Sequence, residues 1–256
     1  MEDFYVAFGP GGVLGTVAAM VLGGFAKGVV GFALPLIAVS IMASFLPAKV
    51  AVALMVVPIL VSNLLQALRG GMAEAWASLV KYRRLNLVFF VTIVFAARLV
   101  VLMPDAMLYG VLGATITGFG AAQVLGWRPT FAPRRARLAE ILAGIAAGIF
   151  GGIAGIWGPP LVIYLLAAEV PKIEMVRVQS ITFALGAIVL LVSHAQSGVL
   201  DAMTLPMSTW LTLPTLAGMF LGYGVQDRLD QELFRKVTLI VLIAAGLNLL
   251  RRAIGA

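Results

Sequence analysis

Long apolar stretches follow one another along this chain, and the polar positions between them fall in short connectors. The stretches cover about residues 12–45, 49–67, 80–103, 106–126, 139–168, 175–195, 205–225 and 234–252. All reach the roughly 18 residues that a membrane helix needs, and no connector is large enough for a soluble domain. The pattern therefore predicts one all-α polytopic membrane domain over residues 1–256, with about eight to ten membrane segments.

Two of the stretches are too long for one crossing. Residues 12–45 would form a helix of about 51 Å, against a hydrocarbon core of about 30 Å. This stretch and the one at 139–168 each contain several glycines and a proline, so we expect broken helices, 12–30 with 32–45 and 139–156 with 158–168. The second member of each pair is short, and a spanning or a re-entrant course both stay open.

The broken stretches share the pattern G-x-x-x-G-x-x-G-x-x-x-P at an offset of 124 residues. The first copy holds Gly24, Gly28, Gly31 and Pro35, and the second holds Gly148, Gly152, Gly155 and Pro159. The tetrapeptide ending at Asn63, LVSN, also returns as LVSH ending at His194. We therefore predict two repeats, about 12–126 and 139–252, each made of a broken pair and three transmembrane helices.

Basic connectors indicate how the repeats are oriented, because such connectors stay in the cytoplasm. If both broken stretches turn back, the clusters at 81–84 and 128–137 are cytoplasmic; if each crosses once, both clusters are translocated. We therefore predict a periplasmic amino terminus and inverted repeats. Many secondary transporters have this architecture, with a site at the repeat interface near the membrane midplane.

Composition narrows the function further. A chain that is 62% hydrophobic with a mean hydropathy of +1.07 does not form a soluble globule. A cleaved signal peptide starts with basic residues, whereas this chain has Glu2 and Asp3 there, so we expect the amino terminus to be retained. One histidine and no cysteine predict no metal and no cofactor. The net charge of +7 fits basic membrane loops better than nucleic-acid binding, and the absence of hydrolase and ATPase motifs predicts no enzyme.

Lys27 is the candidate for substrate binding at the first break. Glycines let helices approach closely, and the amino terminus of a broken helix offers backbone N–H groups that attract anions. A lysine there adds a full positive charge, which favours a small anionic ligand. Two alternatives stay open: the glycines only pack helices, or Lys27 extends to the membrane interface.

Other candidates lie at the second break and in the later segments. Asn63 and His194 could bind an oxyanion or lie at the interface. Gln179 and Ser180 could line a cavity or form ordinary interhelical hydrogen bonds, and Trp157 could gate a path or only pack. The predicted substrate-binding residues are Lys27, Gly28, Gly31, Pro35, Asn63, Gly152, Gly155, Trp157, Pro159, Ser180 and His194.

These motifs are similar to those of a known family. The stretches GIFGGIAGIWGPPLVIYLL, LQALRGG, QSGVLD and GMFLGYGVQDRLDQELFRKVTLIVLIAAGLNLL resemble the TauE/SafE family of sulfite exporters over nearly the whole chain. The resemblance implies a permease of the bacterial inner membrane for sulfite, organosulfonates or related anions, with the two Gly/Pro motifs as its hallmark. Lys27 and Leu34 stand where the family often has small residues.

We thus expect a secondary transporter, and specifically an exporter, of small anions, with the anion and the lipid bilayer as its partners. A homodimer is compatible with the sequence. An anion channel and a non-transporting scaffold or assembly factor stay open as alternatives. The anion, the direction of flux and the coupling ion are not given by the sequence.

Overall fold

The computed structural model of the protein describes residues 2–97, 104–127, 135–154, 157–168, 170–226, 240, 243–244 and 246–255. These residues form helices and connectors without any strand. The helices are α1 Glu2–Val30, α2 Leu34–Met42, α3 Ala48–Ala67, α4 Met72–Lys81, α5 Arg83–Ala97, α6 Asp105–Val124, α7 Ala136–Ala154, α8 Gly158–Ala167, α9 Lys172–Gln196 and α10 Thr204–Gln226. Residues 246–253 are also helical. The all-α membrane fold class is confirmed.

Both predicted helix breaks are present. The first separates α1 from α2 at residues 31–33, and the second falls between the end of α7 at Ala154 and the start of α8 at Gly158. With 9 and 10 residues, α2 and α8 are about 14 and 15 Å long, too short to cross a bilayer as helices. In the described part of the chain, four helices are long and apolar enough to cross one, within α1, α3, α7 and α9.

The sequence-based bounds differ from the structure by up to about three residues at most helix ends, and by more at two places. Helix α1 begins at Glu2 instead of residue 12, because the chain is already helical before a kink at Gly9, whose φ is 66°. The predicted segment 80–103 is preceded by a separate amphipathic helix, α4, which the apolar pattern missed. Residues 98–103 and much of the predicted segment 234–252 lie outside the described residues.

Two parallel helix pairs surround a central pair made of α3 and α9. Helix α1 packs along α10, and α5 packs along α7. Glycines make both contacts close: a Cβ on Gly24 or Gly28 would overlap the carbonyl of Thr215 or Met219, and one on Gly148 would lie 2.6 Å from Thr92 Cβ. The four motif glycines that precede the breaks thus form helix-packing surfaces.

Ion pairs identify one end of the bundle, which we call the basic end. Lys81 Nζ lies 2.5 Å from Glu174 Oε1, Arg177 pairs with Glu74, and Arg84 pairs more loosely with Glu140. The starts of α5, α7 and α9 are therefore at the same end. This is the geometry expected if the second broken segment turns back, since a single crossing of residues 139–168 would put residues 81 and 174 at opposite ends.

The opposite end of the bundle holds the start of α6 and the end of the last helix. Tyr109 donates a hydrogen bond to Leu46 O, and the Arg252 guanidinium lies 4.5 Å from the centre of the Tyr109 ring. The sequence duplication, the inverted orientation and the periplasmic amino terminus stay predictions.

Candidate functional site

A buried lysine lies at the end of α1, directly before the first break. Lys27 is 2% exposed, and its Nζ donates to Asn63 Oδ1 at 2.5 Å and to Gln66 Oε1 at 2.8 Å. A longer contact of 3.5 Å reaches Gly31 O. Lys27 therefore points into the bundle and does not extend to the interface, so one of the two sequence-based alternatives is wrong.

The three oxygens around Nζ match an ammonium group, which has three N–H donors and no acceptor. All three belong to neutral groups, and none of the ion pairs among the described residues involves Lys27. A charge without an ionic partner is costly in a protein interior. When protonated, Lys27 therefore carries a positive charge without an ionic partner, which an anion would neutralise.

The lysine cluster is displaced from the middle of the bundle. Asn63 and Gln66 lie about 6 and 10 Å beyond residue 59, the middle of the Ala48–Gly70 span, towards the basic end. The site near the membrane midplane stays a prediction for the first break. Its charged group is about one to two helical turns off-centre.

The backbone of the first break opens towards this cluster. Gly31 has φ 91°, a conformation that favours glycine, and it lies against Gln66 and Val176. Helix α2 starts next with Pro35 in its first turn and has no side-chain cap. The N–H groups of this turn are thus directed into the break, where the helix dipole favours negative charge.

The second break is aromatic where the first is charged. Trp157 is 1% exposed, and its ring centre lies 6.1 Å from that of Phe89 and 5.6 Å from that of Phe183. Gly151, the counterpart of Lys27 at the 124-residue offset, leaves room for this ring: a Cβ there would be 2.8 Å from Trp157 Cε3. Trp157 is therefore packed between other aromatic rings, and we call Trp157, Phe89 and Phe183 the aromatic wall.

The two breaks are in contact. A Cβ on Gly158, the first residue of α8, would lie 3.2 Å from Phe32 Cδ2 in the first break. The uncapped start of α2 and the start of α8 therefore approach each other inside the bundle. Gly155 lies outside the described residues, and Pro159 is in the first turn of α8.

The remaining predicted site residues either contribute to helix packing or lie away from Lys27. Gly28 and Gly152 pack against α10 and α5, and Ser180 donates to Val176 O within its own helix. His194 is fully buried in the last turn of α9, at the end remote from Lys27. The structure thus brings Lys27, Gly31 and Asn63 together but leaves His194 apart.

Gln66 was missed as a site residue. It follows Asn63 by three residues, so both amides share one face of α3, and this spacing was the available signal. Among the described residues, no group of three or more His, Cys, Asp or Glu side chains could hold a metal.

Comparison with known proteins gives one finding. The family model described as "Sulfite exporter TauE/SafE" matches residues 16–249. No curated protein and no solved structure matches the chain.

Proposed function

The chain belongs to the sulfite exporter TauE/SafE family, and from that premise we propose that it is a secondary transporter that exports sulfite or an organosulfonate across the bacterial inner membrane. The substrate binds where the two helix breaks meet, with Lys27 as its charged ligand. The observation that carries this proposal is the buried ammonium group held by neutral oxygens alone.

Binding needs little rearrangement of the Lys27 cluster. Gly31 O is the most distant of the three acceptors, so an anion oxygen can replace it without breaking the two shorter hydrogen bonds. The first-turn N–H groups of α2 supply further donors. The ammonium group and the helix start then act on the same ligand, as in transporters built from discontinuous helices.

The membrane potential is sufficient to drive export. A monoanion leaving an inside-negative cell gains about 2.3 kcal/mol per 100 mV. Passive uniport therefore suffices, and the proposal needs no intramembrane carboxylate relay. In this orientation the amino terminus is periplasmic and the basic end is cytoplasmic, so the Lys27 cluster lies towards the side from which substrate is loaded.

Counterflow in proteoliposomes tests this function. Vesicles preloaded with unlabelled sulfite should accumulate external radiolabelled sulfite transiently, and an imposed potential should change the net flux. Lys27→Ala should abolish the accumulation, while Lys27→Arg should retain part of it because the charge is kept. Empty liposomes give the background.

The alternatives make different predictions in the same assay. A channel conducts without saturation and without counterflow. A scaffold gives no flux with any sulfur oxyanion or sulfonate, and Lys27→Ala then changes nothing. Either result would contradict the proposed transporter.

A further inference from the structure

Gln179 is a buried amide with no assigned partner. Its side chain is 0% exposed, and within the described part of the chain neither Oε1 nor Nε2 has a hydrogen-bond partner. Leaving such a group unsatisfied is unfavourable for folding. By contrast, the neighbouring hydroxyls of Ser180 and Thr182 are both paired. A native amide in this position needs an explanation, and a ligand provides one.

The position of Gln179 on α9 connects it with both breaks. A Cβ on Gly31 would lie 3.4 Å from Val176, three residues earlier, and the ring centre of Phe183, four residues later, lies 5.6 Å from that of Trp157. Residues three and four apart lie on one face of a helix, so Gln179 is on the face that meets the first break at one turn and the second break at the next. Gln179 therefore lies on the helix face between the two breaks.

We propose that Gln179 is the ligand contributed by the second half of the chain, and that with Lys27 it selects singly charged sulfur oxyanions. This inference rests on the proposed function. Nε2 donates to an anion oxygen, and Oε1 accepts from an O–H group when the oxyanion is protonated. Lys27 supplies the positive charge, and Gln179, from the second half of the chain, binds the anion through its uncharged amide.

The charges around the site argue for a single negative charge on the ligand. Within α2 and α10 there is no charged residue. The only charge of α3 is Lys49 at the opposite end, and Arg69, directly after α3, lies over the Tyr223 ring, 4.5 Å from its centre. On α9, Glu174 and Arg177 are paired with α4, and the remaining charge of its first turn is Lys172. Lys27 thus neutralises one unit of charge, and a dianion would carry an unpaired second charge into the bundle.

Equilibrium binding to the purified full-length protein tests the role of Gln179. The probe is methanesulfonate, which is always singly charged, and the variants are Gln179→Met and Thr215→Val. Both replace a buried polar side chain by an apolar one of similar size, but the Thr215 hydroxyl already bonds to Leu211 O. We expect Gln179→Met to weaken binding about tenfold, because one hydrogen bond to a charged group contributes about that factor. Thr215→Val should bind as the wild type does.

Thermal unfolding without anion separates a ligand role from a structural one. Gln179→Met should unfold at the same or a higher temperature than the wild type, since it removes an unsatisfied amide. A variant that unfolds earlier while its affinity for methanesulfonate is unchanged would show that the amide serves only the fold, and would overturn the proposal.

Sulfate, a dianion, tests the charge selection. We expect the wild type to bind sulfate at least about tenfold more weakly than methanesulfonate. Equal or tighter sulfate binding would overturn the selection. Failure of the proposed function looks different: the wild type then binds none of the anions, or Lys27→Ala binds them unchanged.

Discussion

The two helix breaks share a backbone pattern but differ in what they hold. The first places Lys27 among the oxygens of Asn63, Gln66 and Gly31, and the second places Trp157 between Phe89 and Phe183. Each is preceded by a helix whose glycines pack along a parallel partner. The common glycines therefore account for the architecture, and the differing side chains account for the chemistry.

This difference assigns separate tasks to the two halves. A site with lysines in both breaks would place like charges close together in the interior, which is unfavourable. In the proposed transporter, Lys27 matches the charge of the ligand at the first break, and the rings around Trp157 bound its path at the second. Substitutions in the first break should therefore change anion binding, and those in the second should change stability.

The largest stability effect is expected at the aromatic wall. Trp157→Ala should lower the free energy of unfolding by about 3–5 kcal/mol, because it opens a cavity beside Phe89 and Phe183. Thermal unfolding in detergent measures this loss, with Trp157→Phe as the milder control. An unchanged melting temperature for Trp157→Ala would show that the second break is not packed as described.

Asn63 and His194 occupy matching places in the LVSN and LVSH stretches. Replacing each by leucine should nevertheless change the stability of the protein differently. Asn63→Leu removes a hydrogen bond to a buried ammonium group and should destabilise the protein by about 1.5–3 kcal/mol. In the described residues neither ring nitrogen of His194 has a partner, so His194→Leu should be neutral or stabilising. Equal losses for both variants would remove this distinction between the halves.

Adding a methyl group to a glycine should destabilise the protein only where that glycine packs against another helix. Gly28→Ala forces a methyl group onto the carbonyl of Met219 and should cost about 1–3 kcal/mol. Gly224→Ala, on the same partner helix, meets nothing within 4 Å and is the matched control. Melting temperatures of the two variants provide the test, and an unaffected Gly28→Ala would contradict the close α1–α10 contact.

The smallest loss of stability is expected for a substitution in the turn before α10. The N–H of Thr204 donates to Asp201 Oδ1 at 2.7 Å, and this bond, with that from Met203, holds the pKa of Asp201 below its ordinary value of 3.8. The stabilisation is thus present above pH 3.8 and is lost as the pH falls through the lowered pKa. Asp201→Ala should cost about 1 kcal/mol at neutral pH and almost nothing in acid. A loss that is the same in acid would exclude the carboxylate as its cause.

The sequence predicted the backbone of the site better than it predicted the side chains that bind Lys27. Glycine and proline act locally, so the breaks near residues 31 and 157 could be placed from the pattern, although the helix before the second break ends at Ala154 instead of residue 156. The amide partners of Lys27 lie 36 and 39 residues away, and only helix packing brings them together. The separate helix α4 was missed because it has only 10 residues, far fewer than the roughly 18 that mark a membrane helix.

The displacement of the Lys27 cluster also has a physical reason. Symmetry between repeats suggests a site in the middle, but Gly31 contacts Val176, only four residues into α9. The Phe32 side chain then spans part of the distance to Gly158. Side-chain lengths of this kind are set by tertiary packing and are not visible in the repeat pattern.

The central claim is that the uncompensated charge of Lys27 binds the anion, and equilibrium binding of radiolabelled sulfite tests it most directly. Lys27→Met removes the charge at similar side-chain length, and Lys49→Met removes a lysine at the opposite end. We predict that Lys27→Met binds sulfite at least about a hundredfold more weakly than the wild type, because truncating a buried charged partner costs several kcal/mol. Lys49→Met should bind normally. Sulfite binding by folded Lys27→Met with wild-type affinity would contradict the claim.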